Sequence, residues 1–508
     1  MVVLGLLGGC SGGSDAGVEM LAAADSAPPA AASTVAAATT ATSSDAPTGT
    51  ATATAIDTMS SPTTTSRIDV PPVAATGRCD PVAGDAPGHV VIWHELSTAI
   101  AGLVAPLVDL FVAQRPDITV DFVDIEGDYP AVIDRLRDTP PDEQPDIVIA
   151  NEETVRVLAD SGRVVPVADC TGGQTPANFT DLLPIIRRTY SIDDVLWAAP
   201  FNVSVPVMYY DRKLWERAGL DPDRPPTDVD ELEQTIVQLA DSEAVGSGAV
   251  LYDKSGSWLL VDGAVQHQTP LVVPDNGFGG VQGLRADFHH DWAIDLVGRF
   301  QRLRQEGKVE WLGLNANGTD DLALLVHPTT PTGMTFNTSA ALGQIIQLLE
   351  MGRLPDVEVG VAPLPFGGQG SAVGGGALWL LGDDPVQVGR AWQVVDWLTA
   401  PERIAELAAK TGYIPTTRRA ADDPVTVAKW ADEPEFRVAY DQAAATPDSI
   451  DATAMQVGNY LEVDRELELA VAWPIDDGND IDTEFTLRES RVDEALAAYA
   501  AVTPDTGG

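Results

Sequence analysis

Basic residues are scarce in this sequence. Its 508 residues include 30 Lys and Arg against 76 Asp and Glu, which gives a formal net charge of −46, and only five of the basic residues are Lys. A surface with this charge repels nucleic acid and anionic lipid. The composition therefore excludes a protein that binds either partner through a broad basic surface, although it carries no information about the fold.

Long apolar runs and enzyme motifs are also lacking. Beyond the apolar start, no segment approaches the ~18 uninterrupted apolar residues of a transmembrane helix. The sequence has no Gly-x-Ser-x-Gly, His-Glu-x-x-His or phosphate-loop pattern. His289-His290 reads as a solvated loop, because adjacent side chains point apart, and 476–480 reads as an acidic turn without the spacing of a calcium loop. We therefore predict no catalytic residue, no metal and no cofactor.

Cysteine is limited to three residues, and the first lies in a short motif near the N-terminus. Cys10 ends the run Leu7-Gly8-Gly9-Cys10, which resembles the bacterial lipobox. That resemblance implies cleavage before Cys10, a diacylglycerol anchor on its thiol, and an extracytoplasmic protein held at the cell membrane by lipid alone. The basic region expected before the apolar part of a signal peptide is absent. Either the start codon is placed too late or the motif is accidental.

The other two cysteines form an even pair in the exported body. In an oxidising compartment, Cys79 and Cys170 are expected to form a disulfide rather than two free thiols. The bond would close a loop of about ninety residues and contribute about 4 kcal/mol in the chain-entropy model. Neither cysteine has a His or a third Cys at metal-ligand spacing, which argues against zinc.

The chain divides into a low-complexity segment and a globular body. Residues 1–10 are read as the remnant of a lipoprotein signal. Residues 11–77 are mostly Ala, Thr, Ser, Asp and Pro; such a segment buries too little apolar area to fold, so we predict a disordered tether. Buried strands then alternate with amphipathic helices from residue 90 to 160, which predicts a mostly parallel α/β sheet.

The pattern beyond residue 200 is more helical and predicts a second lobe. Helices are expected over 229–240 and 292–305, followed by a strand over 333–337. Strands over 359–363 and 377–381 and a helix over 386–399 suggest a return to the first lobe. We therefore assign 78–200 and about 356–400 to lobe 1, and 201–355 and about 401–500 to lobe 2.

Residues 196–232 read as a strand, a short helix, a turn and the start of another helix. The β-rich run 203–210 contains Pro206 and is preceded by Pro200, which suits an edge or crossing strand. Gly219 is placed to end the short helix, and Thr227 to begin a capping box. The stretch resembles the hinge signature of extracellular solute-binding proteins of ABC importers, in the cluster of maltose- and glycerol-3-phosphate-binding proteins. The family's Trp after the turn is missing, and Asp211 replaces an Asn.

This resemblance implies a fold and a function. The fold is α/β, a two-lobed periplasmic-binding-protein-like fold of type II with a hinge between the lobes. The function is that of a monomeric receptor that closes on a small carbohydrate or polyol and presents it to ABC permease subunits. A non-transport adhesion or sensor lobe is an alternative from another class.

The resemblance extends, with gaps, to about residue 470 and carries over a set of ligand contacts. For each of these residues, packing or loop capping remains the alternative. A polyol needs carboxylate, hydroxyl and backbone partners for its hydroxyl groups and aromatic faces for its C–H surface. Trp258 either forms such a face or belongs to the core. The predicted ligand-binding residues are His94, Glu95, Tyr129, Asn151, Glu152, Asn202, Ser204, Trp258, Thr338, Ser339, Gly374, Gly375, Tyr413 and Gln456.

One departure from the family bears on the ligand. Gln456-Val457-Gly458-Asn459 stands where the family has Arg-Leu-Gly-Asn, whose Arg meets the phosphate. A neutral amide is a poor partner for a buried phosphate, so we expect an uncharged sugar or polyol. A glycerol-3-phosphate or glycerophosphodiester receptor is the alternative within the class. A secreted glycoside hydrolase would need a pair of carboxyl groups, for which Glu95 and Glu152 are the candidates.

Overall fold

The computed structural model describes residues 77–125, 129–314, 319–354 and 356–503. The predicted lipidation site Cys10 and the tether predicted over 11–77 lie outside this range, except for Gly77. In the described part, no helix combines the length and apolar character required to span a membrane.

Fifteen strands lie in the described residues. They are β1 Gly88–His94, β2 Ile118–Asp124, β3 Ile147–Asn151, β4 Val164–Val165, β5 Ser191–Ile192, β6 Val195–Leu196, β7 Ala199–Ser204, β8 Pro206–Asp211, β9 Ala249–Leu251, β10 Val272–Val273, β11 Arg285–Ala286, β12 Val309–Trp311, β13 Met334–Thr338, β14 Val359–Ala362 and β15 Gly374–Leu381.

Seventeen α-helices accompany these strands in the same part of the chain. They are α1 Thr98–Gln114, α2 Tyr129–Asp138, α3 Val155–Asp160, α4 Pro184–Thr189, α5 Arg212–Arg217, α6 Val229–Ala240, α7 Asp253–His267, α8 Asp291–Gln305, α9 Asp320–Leu325, α10 Leu342–Glu350, α11 Pro385–Leu398, α12 Pro401–Lys410, α13 Arg418–Ala421, α14 Pro424–Asp432, α15 Glu435–Ala444, α16 Tyr460–Asp477 and α17 Ile481–Val502.

The first sheet is built on two strongly apolar strands, β1 and β3. Its order is β2-β1-β3-β15-β4, with β7 also paired to β15. β1 runs parallel to β2 and β3, as the alternation of strands and helices predicted, whereas β15 runs antiparallel to β3, β4 and β7. All five residues of β3 are buried, because helices cover both faces of such a sheet.

The second sheet has the order β12-β9-β13-β8-β14. The chain leaves the first sheet at the end of β7 and enters the second at β8, so the predicted crossing is confirmed. The predicted edge position is wrong for β8, which lies between β13 and β14 and is antiparallel to both. Pro206 is tolerated there because it is the first residue of the strand, where a missing N–H interrupts the ladder least.

The helix α6 has the predicted bounds, but its N-terminal cap lies one residue later than predicted. Asp228, rather than Thr227, is the N-cap of α6, and its side chain accepts a hydrogen bond from Glu231 N–H. Thr227 instead donates its backbone N–H and its hydroxyl to the Glu231 carboxylate. Asp228 therefore caps the helix, while the Glu231 side chain bonds to Thr227 rather than to the N–H of the cap residue as a capping box requires.

Three connections join the two sheets, and side chains fasten them to one another. They are Val205 between β7 and β8, residues 363–373 between β14 and β15, and residues 445–449 after α15. Gln442 accepts a hydrogen bond from Leu364 N–H and donates to Pro206 O. Thr446 exchanges hydrogen bonds with the backbone of Ser371. The end of α15 and the third connection therefore hold the second connection beside the start of β8.

Apolar side chains form two core clusters, one around each sheet. The division differs from the expected lobe boundaries in three places. The helices α9 and α10, expected in lobe 2, bury apolar residues such as Leu325 and Leu342 in the first cluster. Residues 359–372 belong largely to the second body, because β14 pairs with β8 and Leu364 and Phe366 pack in the second cluster. Residues 401–443 belong to the first body, because α12 and α15 bury their apolar faces in the first cluster. The chain therefore returns to the second body only after residue 444.

The structure bonds Cys79 to Cys170, 91 residues apart in sequence. Cys79 lies in the segment before β1, and Cys170 lies in a short 3-10 helix, Val167–Thr171. Both are buried in the first cluster. The bond therefore fastens the beginning of the globular body to its first core.

Candidate ligand-binding cleft

The carboxyl ends of β1 and β3 bring four predicted residues to one edge of the first sheet. The two strands are parallel and neighbouring, so His94 and Glu95 end on the same side as Asn151 and Glu152. His94 is 2% exposed and its ring stacks on Phe122 with 3.9 Å between the centroids. Burial lowers the pKa of His94, which keeps the imidazole neutral. His94 is therefore unsuited to neutralise a bound anion.

The glycine-rich start of β15 lies against this edge and receives Glu152. A Cβ on Gly374 would lie 3.5 Å from Glu152 Oε1. Gly375 has φ +89°, and a Cβ there would lie 2.2 Å from the carbonyl oxygen of Asn202. Ser204 is the register partner of Gly374. The missing side chains let strand backbone and carboxylate approach closely.

Two buried tyrosines join this group, and neither was predicted. The Tyr190 hydroxyl donates to Gly375 O at 2.9 Å. Burial raises the pKa of Tyr190, with a further contribution from the charge of Glu152. Burial also raises the pKa of Tyr460, with contributions from Asp464, then Glu153 and Glu152. Both hydroxyl groups therefore lie near carboxylates, remain protonated and are able to donate.

The Thr338-Ser339 pair faces the first crossing from the second sheet. Ser339 N–H donates to Val205 O at 2.8 Å, and Val205 N–H donates to Ser339 Oγ at 3.3 Å. The Tyr209 hydroxyl donates to the carbonyl oxygens of Thr338 and Ser339. The pair is thus built into the connection between the two bodies, and its position at the hinge depends on these bonds.

Tyr413 comes from a different body than expected. The sequence interpretation placed it on the second lobe, but it is 6% exposed and packs in the first cluster. Ile414 N–H donates to Val203 O at 2.8 Å, which holds the loop beside β7. Tyr413 and Glu152 therefore lie on the same body, because α12 packs against the first sheet.

Trp258 is half-buried on α7, and its ring meets Tyr252 edge-on at 6.2 Å between centroids. One turn further along the helix, Asp262 Oδ1 accepts hydrogen bonds from Ser371 Oγ and Ala372 N–H. This face of α7 therefore points towards the second connection. Tyr129 is the first residue of α2, and its side chain lies outside the described part.

Gln456 spans the two bodies. Its backbone N–H donates to Asn276 O at 2.7 Å in the second body, while its Nε2 donates to Ser191 O at 2.9 Å in the first. The residue is 4% exposed. The position expected to lie against a phosphate group is therefore occupied by an uncharged side chain that already bridges the cleft.

Two arginines that could otherwise pair with an anion are engaged elsewhere. Arg419 donates to both the carboxylate of Asp181 and Ala177 O. Arg465 is 46% exposed and pairs with Glu468 at 3.0 Å. Within the described ranges, no group of three or more His, Cys, Asp or Glu residues could hold a metal ion. The described side of the cleft is thus rich in carboxylates and hydroxyl groups.

Sequence reasoning missed Tyr190 and Tyr460. Tyr190 follows a short helix and carries no motif, so no local signal marks it. Tyr460 follows Gln456-Val457-Gly458-Asn459, and its closeness to that segment was an available signal. The contact between Tyr190 and Gly375 joins residues that are 185 positions apart in sequence. A local pattern does not encode such a contact.

A family model and a relative both match this chain, and both describe solute-binding proteins. Residues 106–438 match a family model described as bacterial extracellular solute-binding protein. The chain is 24% identical over 400 residues to the sn-glycerol-3-phosphate-binding periplasmic protein UgpB of Escherichia coli strain K12, which covers 75% of this chain and 86% of that protein.

Solved structures share the fold at low identity. UgpB from Mycobacterium tuberculosis in complex with glycerophosphocholine is 21% identical, with a TM-score of 0.64 over 82% of this chain and 100% of that one. The sugar-binding protein MalE from Xanthomonas citri is 18% identical, with a TM-score of 0.65 over 82% of this chain and 99% of that one. The described part has the two-lobed α/β fold of these proteins.

The family match spans residues 106–438, which is more than half of the 508 residues, and it includes β7, β8 and the crossing between them. The chain belongs to the family of bacterial extracellular solute-binding proteins.

Proposed function

We propose that this protein is an extracytoplasmic receptor that binds an uncharged saccharide or polyol between its two lobes and delivers it to the permease of an ABC importer. The observation that carries the proposal is Gln456, an uncharged residue buried between the two bodies at the position where the family resemblance implies a phosphate-binding Arg. The relatives named for sugars and for glycerol 3-phosphate support the general class of ligand.

The polar groups of the cleft suit a neutral ligand that carries several hydroxyl groups. His94 Nδ1, Asn151 Oδ1 and Gln456 Oε1 are buried without a hydrogen-bond partner among the described residues. Buried polar groups are ordinarily hydrogen-bonded, so these atoms are suited to a ligand with several hydroxyl groups. Asn202, Ser204, Thr338, Ser339 and the backbone at Gly374 and Gly375 would contribute from around the hinge.

A phosphate dianion would fit this cleft poorly. It requires charge-assisted donors when it is removed from water. The neutral imidazole of His94 and the carboxylate of Glu152 provide none, and Arg419 and Arg465 are engaged elsewhere. The charge of Glu152 would instead repel the phosphate.

A glycerophosphodiester receptor is the second candidate. It is favoured by the likeness to the Escherichia coli glycerol-3-phosphate-binding protein and to a structure that contains glycerophosphocholine. Isothermal titration of the purified chain with maltose, glycerol, glycerol 3-phosphate and glycerophosphocholine separates the two. Tighter binding of a neutral compound supports the first proposal, and a clear preference for either phosphate compound replaces it with the second.

Three attributes complete the proposal. The receptor is a monomer, it is anchored through a lipid on Cys10, and its binding lobes are the two bodies around the two sheets. Metabolic labelling with radioactive palmitate tests the anchor, because label on the wild type that disappears in the Cys10→Ser variant is expected. Incubation with oligosaccharides tests the remaining enzyme hypothesis, and release of shorter sugars would contradict a pure binding function.

A further inference from the structure

The last helix of the described chain reaches from one body to the other. α17 packs in the second cluster through Phe485, Val492 and Leu496. It lies beyond the segment 106–438 that matches the family model. Near its end, Tyr499 leaves the second body and contacts α3 of the first.

The contact joins three polar side chains. The Tyr499 hydroxyl donates to Asp160 Oδ2 at 2.9 Å. Arg156 Nε donates to the same oxygen at 2.9 Å. Asp160 is 2% exposed and Arg156 is 5% exposed. One carboxylate oxygen therefore accepts a hydrogen bond from each body in surroundings that exclude water.

Tyr499 keeps the hydroxyl proton that it donates to Asp160. Burial raises the pKa of Tyr499, and the charge of Asp160 raises it further. The phenol therefore remains a donor throughout the physiological pH range. A bond from a neutral hydroxyl to a charged carboxylate belongs to the stronger class of protein hydrogen bonds.

Gly458 makes room for the tyrosine ring. A Cβ at this position would lie 1.9 Å from Cζ of Tyr499. Two residues earlier, Gln456 makes its own bond across the cleft to Ser191 O. The segment from Gln456 to Tyr460 and the end of α17 therefore carry two separate hydrogen bonds between the bodies.

We propose that the arrangement of the lobes in which Tyr499 meets Asp160 is the closed one, and that Tyr499 and the Asp160–Arg156 pair form a latch that stabilises it without contacting the ligand. The proposal rests on the binding-protein function and adds a residue that determines affinity through closure. A contact that exists in one state shifts the equilibrium towards that state. Because apparent affinity scales with the population of the competent state, the latch tightens binding of whatever solute the cleft accepts.

A purely structural role for Tyr499 makes a different prediction. If the residue only anchors α17 on its own body, its removal lowers thermal stability and leaves the arrangement of the lobes unchanged. If it is a latch, its removal opens the ligand-free protein. The distance between the two bodies therefore distinguishes these roles.

The experiment uses the full chain without ligand. Spin labels at Asp138→Cys in the first body and Glu306→Cys in the second report the distance between the lobes by double electron–electron resonance. Tyr499→Phe removes only the hydroxyl. Tyr440→Phe is the matched control, because Tyr440 lies in the first body, where its ring packs on Trp430 at 5.1 Å between centroids.

We expect Tyr499→Phe to lower the ratio of closed to open molecules by about tenfold, the size of one hydrogen bond to a charged group. Asp160→Asn should move the distance distribution in the same direction, and Tyr440→Phe should leave it unchanged. Identical distributions for wild type and Tyr499→Phe would overturn the latch, whether both are open or both are closed. Because no ligand is added, this result is independent of the titrations that test the proposed function.

Discussion

The Asp262→Asn variant provides a quantitative test of the hinge. Asp262 is completely buried on α7. Its Oδ1 accepts hydrogen bonds from Ser371 Oγ at 2.6 Å and from Ala372 N–H at 2.9 Å. These two residues belong to the second connection between the sheets and lead directly to Gly374. The substitution keeps the shape and one acceptor oxygen but removes the charge.

The expected magnitude follows from the pKa of this carboxyl. Burial raises it from 3.8 to about 7, although the bonds from Ser371 and Ala372 oppose the change. One pKa unit corresponds to about 1.4 kcal/mol, so the full difference is worth about 4 kcal/mol. Between these two pH values the folded protein keeps a proton that the unfolded chain has released. The free energy of unfolding therefore falls as the pH rises from about 4 to about 7, and it changes little above that.

Asn at this position is neutral at every pH and avoids this loss. The measurement is urea unfolding of wild type and Asp262→Asn at several pH values between 4 and 8, followed by circular dichroism. We expect the variant to gain up to about 4 kcal/mol relative to wild type across this range. Asp138→Asn on the exposed end of α2 is the control and should give a constant difference. A constant difference for Asp262→Asn as well would refute a buried, protonated carboxyl at the hinge.

Three further outcomes test the cleft and the disulfide. Glu152→Ala and Tyr413→Ala should each weaken binding of the best compound in the titration series by more than tenfold with unchanged circular dichroism, and unchanged affinity in both would remove these residues from the site. Gln456→Arg should improve binding of glycerol 3-phosphate by about 1 to 3 kcal/mol through charge-assisted hydrogen bonds, whereas no gain would argue against this position as the one facing the phosphate. Cys79→Ser should lower the free energy of unfolding by up to about 4 kcal/mol because it opens the loop closed by Cys170. Two free thiols in non-reduced wild type would contradict this last expectation.

The sequence by itself determined the local elements of the fold. The apolar runs of β1 and β3 predicted buried strands, and the observed bounds of α6 and α11 lie within one residue of the predicted ones. Pro206 marked the crossing between the sheets, although it did not reveal that β8 lies inside the second sheet. These features depend on residues close together in the chain, so periodicity and turn chemistry are sufficient to locate them.

The resemblance to a family also predicted which residues line the cleft. Glu152, Gly374 and Ser204 meet at one edge because β3, β15 and β7 are neighbours in the first sheet. Composition and periodicity alone do not predict this pairing. The match in residue order supplied it, since the related proteins share the same arrangement of strands.

Only the tertiary structure decided which body each segment joins. The helices from Pro401 to Ala444 resemble those of either lobe in sequence, but their apolar faces fit against the first sheet. Tyr190, Tyr460 and the bond from Tyr499 to Asp160 depend on residues that are distant in sequence and adjacent in space. Such contacts are determined by the packing of whole bodies against each other, because the free energy of a buried polar contact depends on its surroundings rather than on its neighbours in the chain.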